Sequence, residues 1–279
     1  MDVKLDYLSF TIMEDVRQGS DNPDQWQRLA VGALWDNQPA TAAFFEQVGN
    51  WQSGGARGHY SASLYQPQIY AAMRFGGSAN HILVELPGTA CQRARDNGLL
   101  DQIVAQASER LTRLDIACDI PDGCSPAAFV GAGYNARFEA HASLISPSGE
   151  TEYVGSMKSE RFSRVYRYAA THPRAGTLRV EYVLRSSYAK TAAHELSKSG
   201  LSALACACGN TFGWQSSYWQ PSQMTEAKLR SQRSDRHEPS RVRWLNGVCV
   251  PSLLKAHHEG LIDLAEVIRL FAKEIAKEE

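Results

Sequence analysis

Three segments in the middle of the chain alternate in polarity with a period of two, and this limits what the chain can fold into. In "LTRLDIACDI", residues 111–120, Leu114, Ile116, Cys118 and Ile120 fall on one side and Arg113, Asp115, Ala117 and Asp119 on the other, because strand side chains point alternately to opposite faces. In "TLRVEYVLR", residues 177–185, Leu178, Val180, Tyr182 and Leu184 oppose Arg179, Glu181, Val183 and Arg185. In "FSRVYRYA", residues 162–169, Arg164, Tyr166 and Tyr168 share a side. If the three strands pair, one sheet face is apolar and the other carries acids, arginines and tyrosines. Such a sheet needs covering on one face only. The expected fold is α+β: a twisted antiparallel sheet with helices on its apolar face, the polar face open, and a C-terminal helical segment.

The rest of the chain supplies elements for that plan. "LDYLSFTI", residues 5–12, reads as a first strand. "NPDQWQRLAVGALWDN" reads as a helix, with Asn22 as cap and Pro23 in the first turn. "GNWQSGGARGHYS" reads as a glycine-rich loop leading into strands near "YSASLYQ" and "AAMRFG". Gly76-Gly77 marks a hairpin turn, with "HILVELPG" as the returning strand. "DNGLLDQIVAQASERL" is an amphipathic helix, and "ASLISPSGETEYVGS" a hairpin turning at residues 146–149. Residues 1–200 therefore read as a sheet domain. In 201–279, "LACACGNTFGWQSSYWQP" reads as aromatic and irregular and "KLRSQRSDRHEPSRVRW" as a basic arm or linker. The tail ends in an amphipathic helix with Leu264, Val267, Ile268, Phe271 and Ile275 on one stripe.

Charge and cysteine usage narrow the function classes. The 279 residues carry a net charge of −1, which is not that of a strongly basic nucleic-acid binder. The charge is uneven, however. Residues 1–53 hold three Lys/Arg against eight Asp/Glu, and residues 137–190 hold nine against five, which allows a local phosphate-binding face. The six cysteines form no Cys-x-x-Cys, and Cys206-Ala-Cys208 lacks the spacing of a zinc site. No apolar run is long enough to span a bilayer and the N-terminus is not that of a signal peptide. The expected location is the cytoplasm.

The residue types on the polar face allow phosphoryl chemistry. Asp115, Asp119 and Glu181 can bind a hard divalent cation through oxygen, Mg²⁺ or Mn²⁺. Such an ion polarises a phosphodiester, and a tyrosine beside it can attack as a nucleophile. Arg164, Arg167, Arg179 and Arg185 match phosphate oxygens in pairs. The same face also fits plain surface ion pairs, and Tyr168 fits either a second nucleophile or a packing residue. No His-x-His is present, so a histidine-pair nuclease is not expected.

The ordered set "RLDIACD", "YVGSMKSERFSRVYRY" and "LRVEYVLR" resembles the replication initiation factor family, rolling-circle initiators of filamentous phages and small plasmids, with relatives among relaxases of conjugative elements. The family pattern is Arg-x-Asp, then Tyr-x-Gly-Ser-x-x-Ser running to Arg-x-Tyr, then Arg-x-Glu. It falls here on Arg113 and Asp115; on Tyr153, Gly155, Ser156, Ser159, Arg164 and Tyr166; and on Arg179 and Glu181. "VELPGTAC" and "DYLSFT" resemble flanking segments, so the resemblance covers about residues 5–255.

The resemblance implies a site-specific, metal-dependent DNA endonuclease and strand transferase. Tyr166 would attack a backbone phosphate at the origin and hold the 5′ end as a phosphotyrosine. Arg164 and Arg179 would steady the phosphate, and Asp115, Glu181 and Asp119 would hold the metal. Lys158, Arg167, Arg185, Lys228, Arg230, Arg233, Arg241 and Arg243 are the expected DNA-binding residues. Implied partners are single-stranded or supercoiled origin DNA, a host replication helicase and a second copy of the chain. The competing functions are a mobilisation relaxase and a non-catalytic origin-binding regulator of the same fold. One departure stands out: family members often read Tyr-Asp/Glu-Lys where this chain reads Tyr166-Arg167-Tyr168.

Overall fold

The structure, a computed structural model, describes residues 1–13, 23–121, 123–132, 138, 140–146, 149–214, 253–254, 257–260, 263 and 265–266. The chain divides into two compact units, Met1–Ser231 and Gln232–Glu279. In the second, the backbone at 253–254, 257–258 and 265–266 is helical. Leu264, Val267, Ile268, Phe271 and Ile275, the expected C-terminal stripe, lie outside the described residues, as do Lys228, Arg230, Arg233, Arg241 and Arg243.

The first unit is built on one antiparallel sheet. Its strands are β1 (Asp2–Ile12), β2 (Gln52–Gly54), β3 (Ala62–Gln66), β4 (Ala71–Phe75), β5 (Ile82–Pro87), β6 (Leu111–Ile120), β7 (His141–Ser146), β8 (Gly149–Val154), β9 (Arg161–Arg167) and β10 (Leu178–Arg185). Their spatial order is β2-β3-β4-β5-β1-β6-β10-β9-β8-β7. The helices are α1 (Pro23–Asn37), α2 (Pro39–Val48), α3 (Gly88–Asp96), α4 (Leu100–Ala107), α5 (Pro126–Gly131) and α6 (Ser186–Phe212). The apolar sides of the central strands are fully buried, with Leu8 and Phe10 from β1, Leu114, Ile116 and Cys118 from β6, and Val180 and Tyr182 from β10. Helix α6 packs on β6, β10 and β1, and α3 on β1 and β5. The α+β expectation, a sheet with helices on its apolar face, agrees with this arrangement.

Two features of the first unit bear on the polar face. The ladder between β1 and β6 shifts register between Leu5 and Tyr7, where Leu5 pairs with Ile116 and Tyr7 with Asp115. Asp6 is therefore the extra residue of a β-bulge, which re-aims the side chains after it. Leu5 and Leu8 both stay buried in the core, while Asp6 and Tyr7 both serve the polar side. Gly88, at the start of α3, then makes room for the Asp6 carboxylate: a Cβ there would lie 2.5 Å from Asp6 Oδ1.

Some sequence expectations need correction. Residues 204–212, expected to be irregular, are helical and end α6. Leu204, Cys208 and Phe212 recur every four residues and all three are buried, a helical period that the aromatic content of the segment obscures. The helix runs across residue 200, where Gly200 departs from helical geometry with φ 80°. Helices α2 and α3 and the short strand β2 lie in stretches where the sequence suggested none. The buried residues of α3 are the small Ala90, Cys91 and Ala94, which give a weak periodic signal. Among the described residues no helix is long and apolar enough to cross a membrane.

Candidate active site

The pairing of β6, β10 and β9 assembles the candidate residues. Arg179 lies opposite Asp119 on one neighbour and opposite Tyr166 on the other. Glu181 lies opposite Ala117 and Arg164. Asp115, Asp119, Arg164, Tyr166, Arg179 and Glu181 thus share one sheet face, because residues directly opposite in a ladder point the same way.

Glu181 is the hub on the β9 side. It is 1% exposed. The Tyr166 hydroxyl donates to its Oε1 at 2.5 Å, Arg179 Nε donates to the same oxygen at 2.8 Å, and Arg164 Nε donates to Oε2. Burial, reinforced by the Glu181 charge, pushes the Tyr166 phenol well above its ordinary value, although Arg179 opposes this. The resting site therefore holds a phenol whose proton already points at a carboxylate oxygen.

Arg179 is the hub on the β6 side. Besides Glu181 it reaches Asp119 Oδ1 at 3.3 Å, Asp6 Oδ1 and the Tyr168 hydroxyl, to which its Nη1 donates. Burial works against its charge, but Asp6, Glu181, Tyr166 and Asp119 together outweigh burial and hold the guanidinium firmly protonated. Asp119 is held further by Lys4 Nζ at 2.8 Å and by Arg174. Asp115 accepts a two-pronged contact from Arg113, Nε to Oδ1 at 2.8 Å and Nη2 to Oδ2 at 2.5 Å. Burial raises the Asp115 carboxyl to about 6 even so, against the lowering by Arg113.

These contacts decide how well the acids suit a metal. Asp115 and Asp119 are four residues apart on one strand, roughly 13 Å at the usual rise, so they flank Glu181 and do not converge on one point. Every one of the three carboxylates is already engaged by guanidinium or ammonium donors. Five cations, Lys4, Arg113, Arg164, Arg174 and Arg179, meet the four carboxylates of Asp6, Asp115, Asp119 and Glu181, with exposed Asp2 3.6 Å from Arg174 at the rim. A dication entering this balanced cluster would have to displace cations from the oxygens it needs. Among the described residues no three His, Cys, Asp or Glu side chains come together to hold an ion. The set does not fit Mg²⁺ or Mn²⁺.

An anion fits better. The side chains of Arg113, Arg164 and Arg174 are 29%, 35% and 46% exposed, so each reaches solvent from the open face. Lys158 is exposed in the turn between β8 and β9. Two other expected DNA contacts are used internally. Arg167 donates to the Gly123 and Cys124 carbonyls, and Arg185 donates to the Met157 carbonyl at 2.6 Å while lying over the Phe162 ring.

Sequence reasoning missed Lys4, Asp6 and Arg174, which carry half of this network. It also missed a neighbouring set on the same face. There the Tyr7 hydroxyl donates to Glu85 Oε1 at 2.6 Å, Arg74 pairs with Glu85, and the Arg113 guanidinium lies 4.5 Å above the Tyr7 ring. Alternation with buried Leu8 and Phe10 puts Tyr7 on that side, and the β-bulge brings Asp6 there beside it.

No protein-family model matches the chain, and neither does any curated protein. Among solved structures, the chain is similar to the rolling circle replication initiator protein from Geobacillus stearothermophilus. That likeness has 16% sequence identity and a TM-score of 0.48, over 82% of this chain and 92% of that one.

Proposed function

We propose that this chain initiates rolling-circle DNA replication by nicking one strand through Tyr166. The observation that carries the reading is the Tyr166 hydroxyl donating to Glu181 between Arg164 and Arg179, on an open sheet face. The ordered motifs that place these four residues support it. In the proposed step Tyr166 Oη forms a bond to phosphorus and the bond from phosphorus to the 3′ oxygen breaks. The phenolic proton passes to Glu181 Oε1, and the 3′ oxygen leaves with its electron pair and is protonated by solvent. Arg164, which reaches solvent, neutralises charge on the non-bridging oxygens, as preorganised donors do in phosphoryl transfer, and buried Arg179 steadies the site from behind by holding Glu181 in place. Because the product is a phosphotyrosine ester, a later hydroxyl can reverse the attack and rejoin the strand.

In this reading residues 1–200 carry the chemistry, and residues 201–279, with Lys228, Arg230, Arg233, Arg241 and Arg243, add contacts to origin DNA. A host helicase and a second copy of the chain are the further partners. A mobilisation relaxase would use the same step on an origin of transfer.

One observation favours a second reading, an origin-binding regulator without chemistry: the carboxylates are tied up by cations, and burial holds the Tyr166 phenol against ionisation. Incubation with supercoiled DNA carrying the cognate origin, with and without Mn²⁺, separates the two. Trapped protein is then mapped by peptide mass. An adduct on Tyr166 supports nicking. Tight binding without any adduct supports the regulator, and an adduct on another residue overturns the assignment of Tyr166.

A further inference from the structure

Beside Tyr166 the polar face opens into a cavity of about 430 Å³, lined in part by Thr151, Tyr166, Tyr168, Thr171, His172 and Pro173. That volume lies within the roughly 300–1,000 Å³ typical of sites for small ligands. One wall is an aromatic stack. The Tyr168 and His172 rings lie 4.1 Å apart at 7° to one another, and Tyr166 meets Tyr168 edge-on at 5.9 Å.

The stack is held from behind. The Tyr168 hydroxyl accepts from Arg179, and its amide reaches the Thr177 carbonyl. His172 Nδ1 accepts from the Arg174 amide at 3.1 Å. The His172 amide donates to Ala169 O at 2.9 Å, and Ala175 donates to His172 O at 2.9 Å. A pair serving only to fill space would be covered, yet His172 is exposed. It presents a flat, fixed ring stacked on Tyr168, whose hydroxyl meets the Arg179 guanidinium.

We propose that Tyr168 and His172 form the stacking platform for the nucleobase adjoining the phosphate that Tyr166 attacks. The proposal rests on the nicking reading and deepens it. Every base has a π-face, and bases stack on exposed aromatic rings in single-strand binding sites. A base seated on His172 would anchor the strand next to Arg164 and Arg179 and so position the phosphate. Tyr168 would then be a positioning residue, and the Tyr-Arg-Tyr sequence would be the source of the platform.

The test uses fluorescence anisotropy of the full chain with labelled oligothymidylate of about 12 nucleotides, and with the same strand carrying abasic sites. Wild type should bind the abasic strand more weakly. His172→Ala should weaken oligothymidylate binding between roughly 5- and 150-fold, the effect of one lost base–aromatic contact, and should bind both strands alike. His172→Phe should restore wild-type binding. The loss should be the same at about 50 and 200 mM salt, because no phosphate contact is removed. Circular dichroism of each variant checks that it is folded. Equal binding by wild type and His172→Ala overturns the platform, as does a loss that His172→Phe does not restore or that changes the salt slope. The nicking reading fails separately, by absence of the adduct in a protein whose stacking effect is intact. A wild type that binds neither strand overturns the platform, and the nicking reading is then decided by the adduct alone.

Discussion

Replacing Arg179 by Ala removes a cation shared by three carboxylates. Its side chain is 5% exposed, and it bridges Asp6, Asp119 and Glu181. Deleting one partner of a buried ion pair leaves charge without compensation and costs roughly 3–5 kcal/mol. Here the lower end applies, because the acids keep other partners. Glu181 retains Arg164 and the Tyr166 hydroxyl, Asp119 retains Lys4 and Arg174, and Asp6 is partly exposed to water. The expected loss is about 3 kcal/mol in urea unfolding, with the denaturant slope unchanged. For a unit of this size that is a fall in Tm of roughly 6–12 °C. Arg179→Lys keeps the charge but cannot span the same partners from one ammonium, so it should recover only part of the loss. The same variant probes the metal argument. Freed of Arg179, the acids gain room for a dication, so Mn²⁺ should raise the Tm of Arg179→Ala more than that of wild type. A loss under about 1 kcal/mol, or equal stabilisation of wild type and variant by Mn²⁺, would refute the picture of a charge-balanced network.

Tyr166→Phe removes only the hydroxyl; it should lose the covalent DNA adduct entirely and about 1 kcal/mol of stability, and an adduct formed by the variant would take Tyr166 out of the reaction. Asp115, raised to about 6 from an ordinary 3.8, holds its proton more tightly when folded, so the stability it contributes is present below about pH 4 and is lost as pH rises through about 6. The stability of wild type minus that of Asp115→Asn should therefore fall by about 3 kcal/mol between about pH 3 and pH 7, and a flat difference measured by urea unfolding would put the carboxyl at its ordinary value. Gly155, in the turn after β8, has φ 86° and a would-be Cβ 3.2–3.3 Å from Phe138, the Arg161 carbonyl and Phe162, so Gly155→Ala should cost about 2 kcal/mol in thermal unfolding, against no change if the turn relaxes freely.

Much of the scaffold was legible because it is written locally. Alternation in residues 111–120 and 177–185 fixed two faces without reference to any other strand, and Gly76 and Gly77 announced the β4–β5 hairpin through the positive φ that both adopt, 73° and 69°. Helix α3 was harder to see, because its buried positions are Ala90, Cys91 and Ala94 and small side chains give little hydrophobic contrast. The bulge at Asp6 was invisible, since nothing in "LDYLSF" distinguishes a strand with one extra residue from a regular one.

The site itself marks where local reading stops. Asp115, Asp119 and Glu181 on one face satisfy the chemistry of a metal site and of an ion-pair network equally well, because oxygen ligands and salt-bridge acceptors are the same atoms. What separates the two is which cation each carboxylate meets, and that is set by contacts across the sequence: Lys4 is 115 residues from Asp119, Arg174 is 55 residues from it, and Arg164 is 17 from Glu181. Register places Arg179 directly between Asp119 and Tyr166, and from there its guanidinium engages both Asp119 and Glu181. The arginines, by contrast, keep donors toward solvent at Arg113, Arg164 and Arg174. A phosphate approaching this face meets guanidiniums already fixed in place by carboxylates, so it gains their hydrogen bonds without ordering them first, which is the physical content of a preorganised anion site.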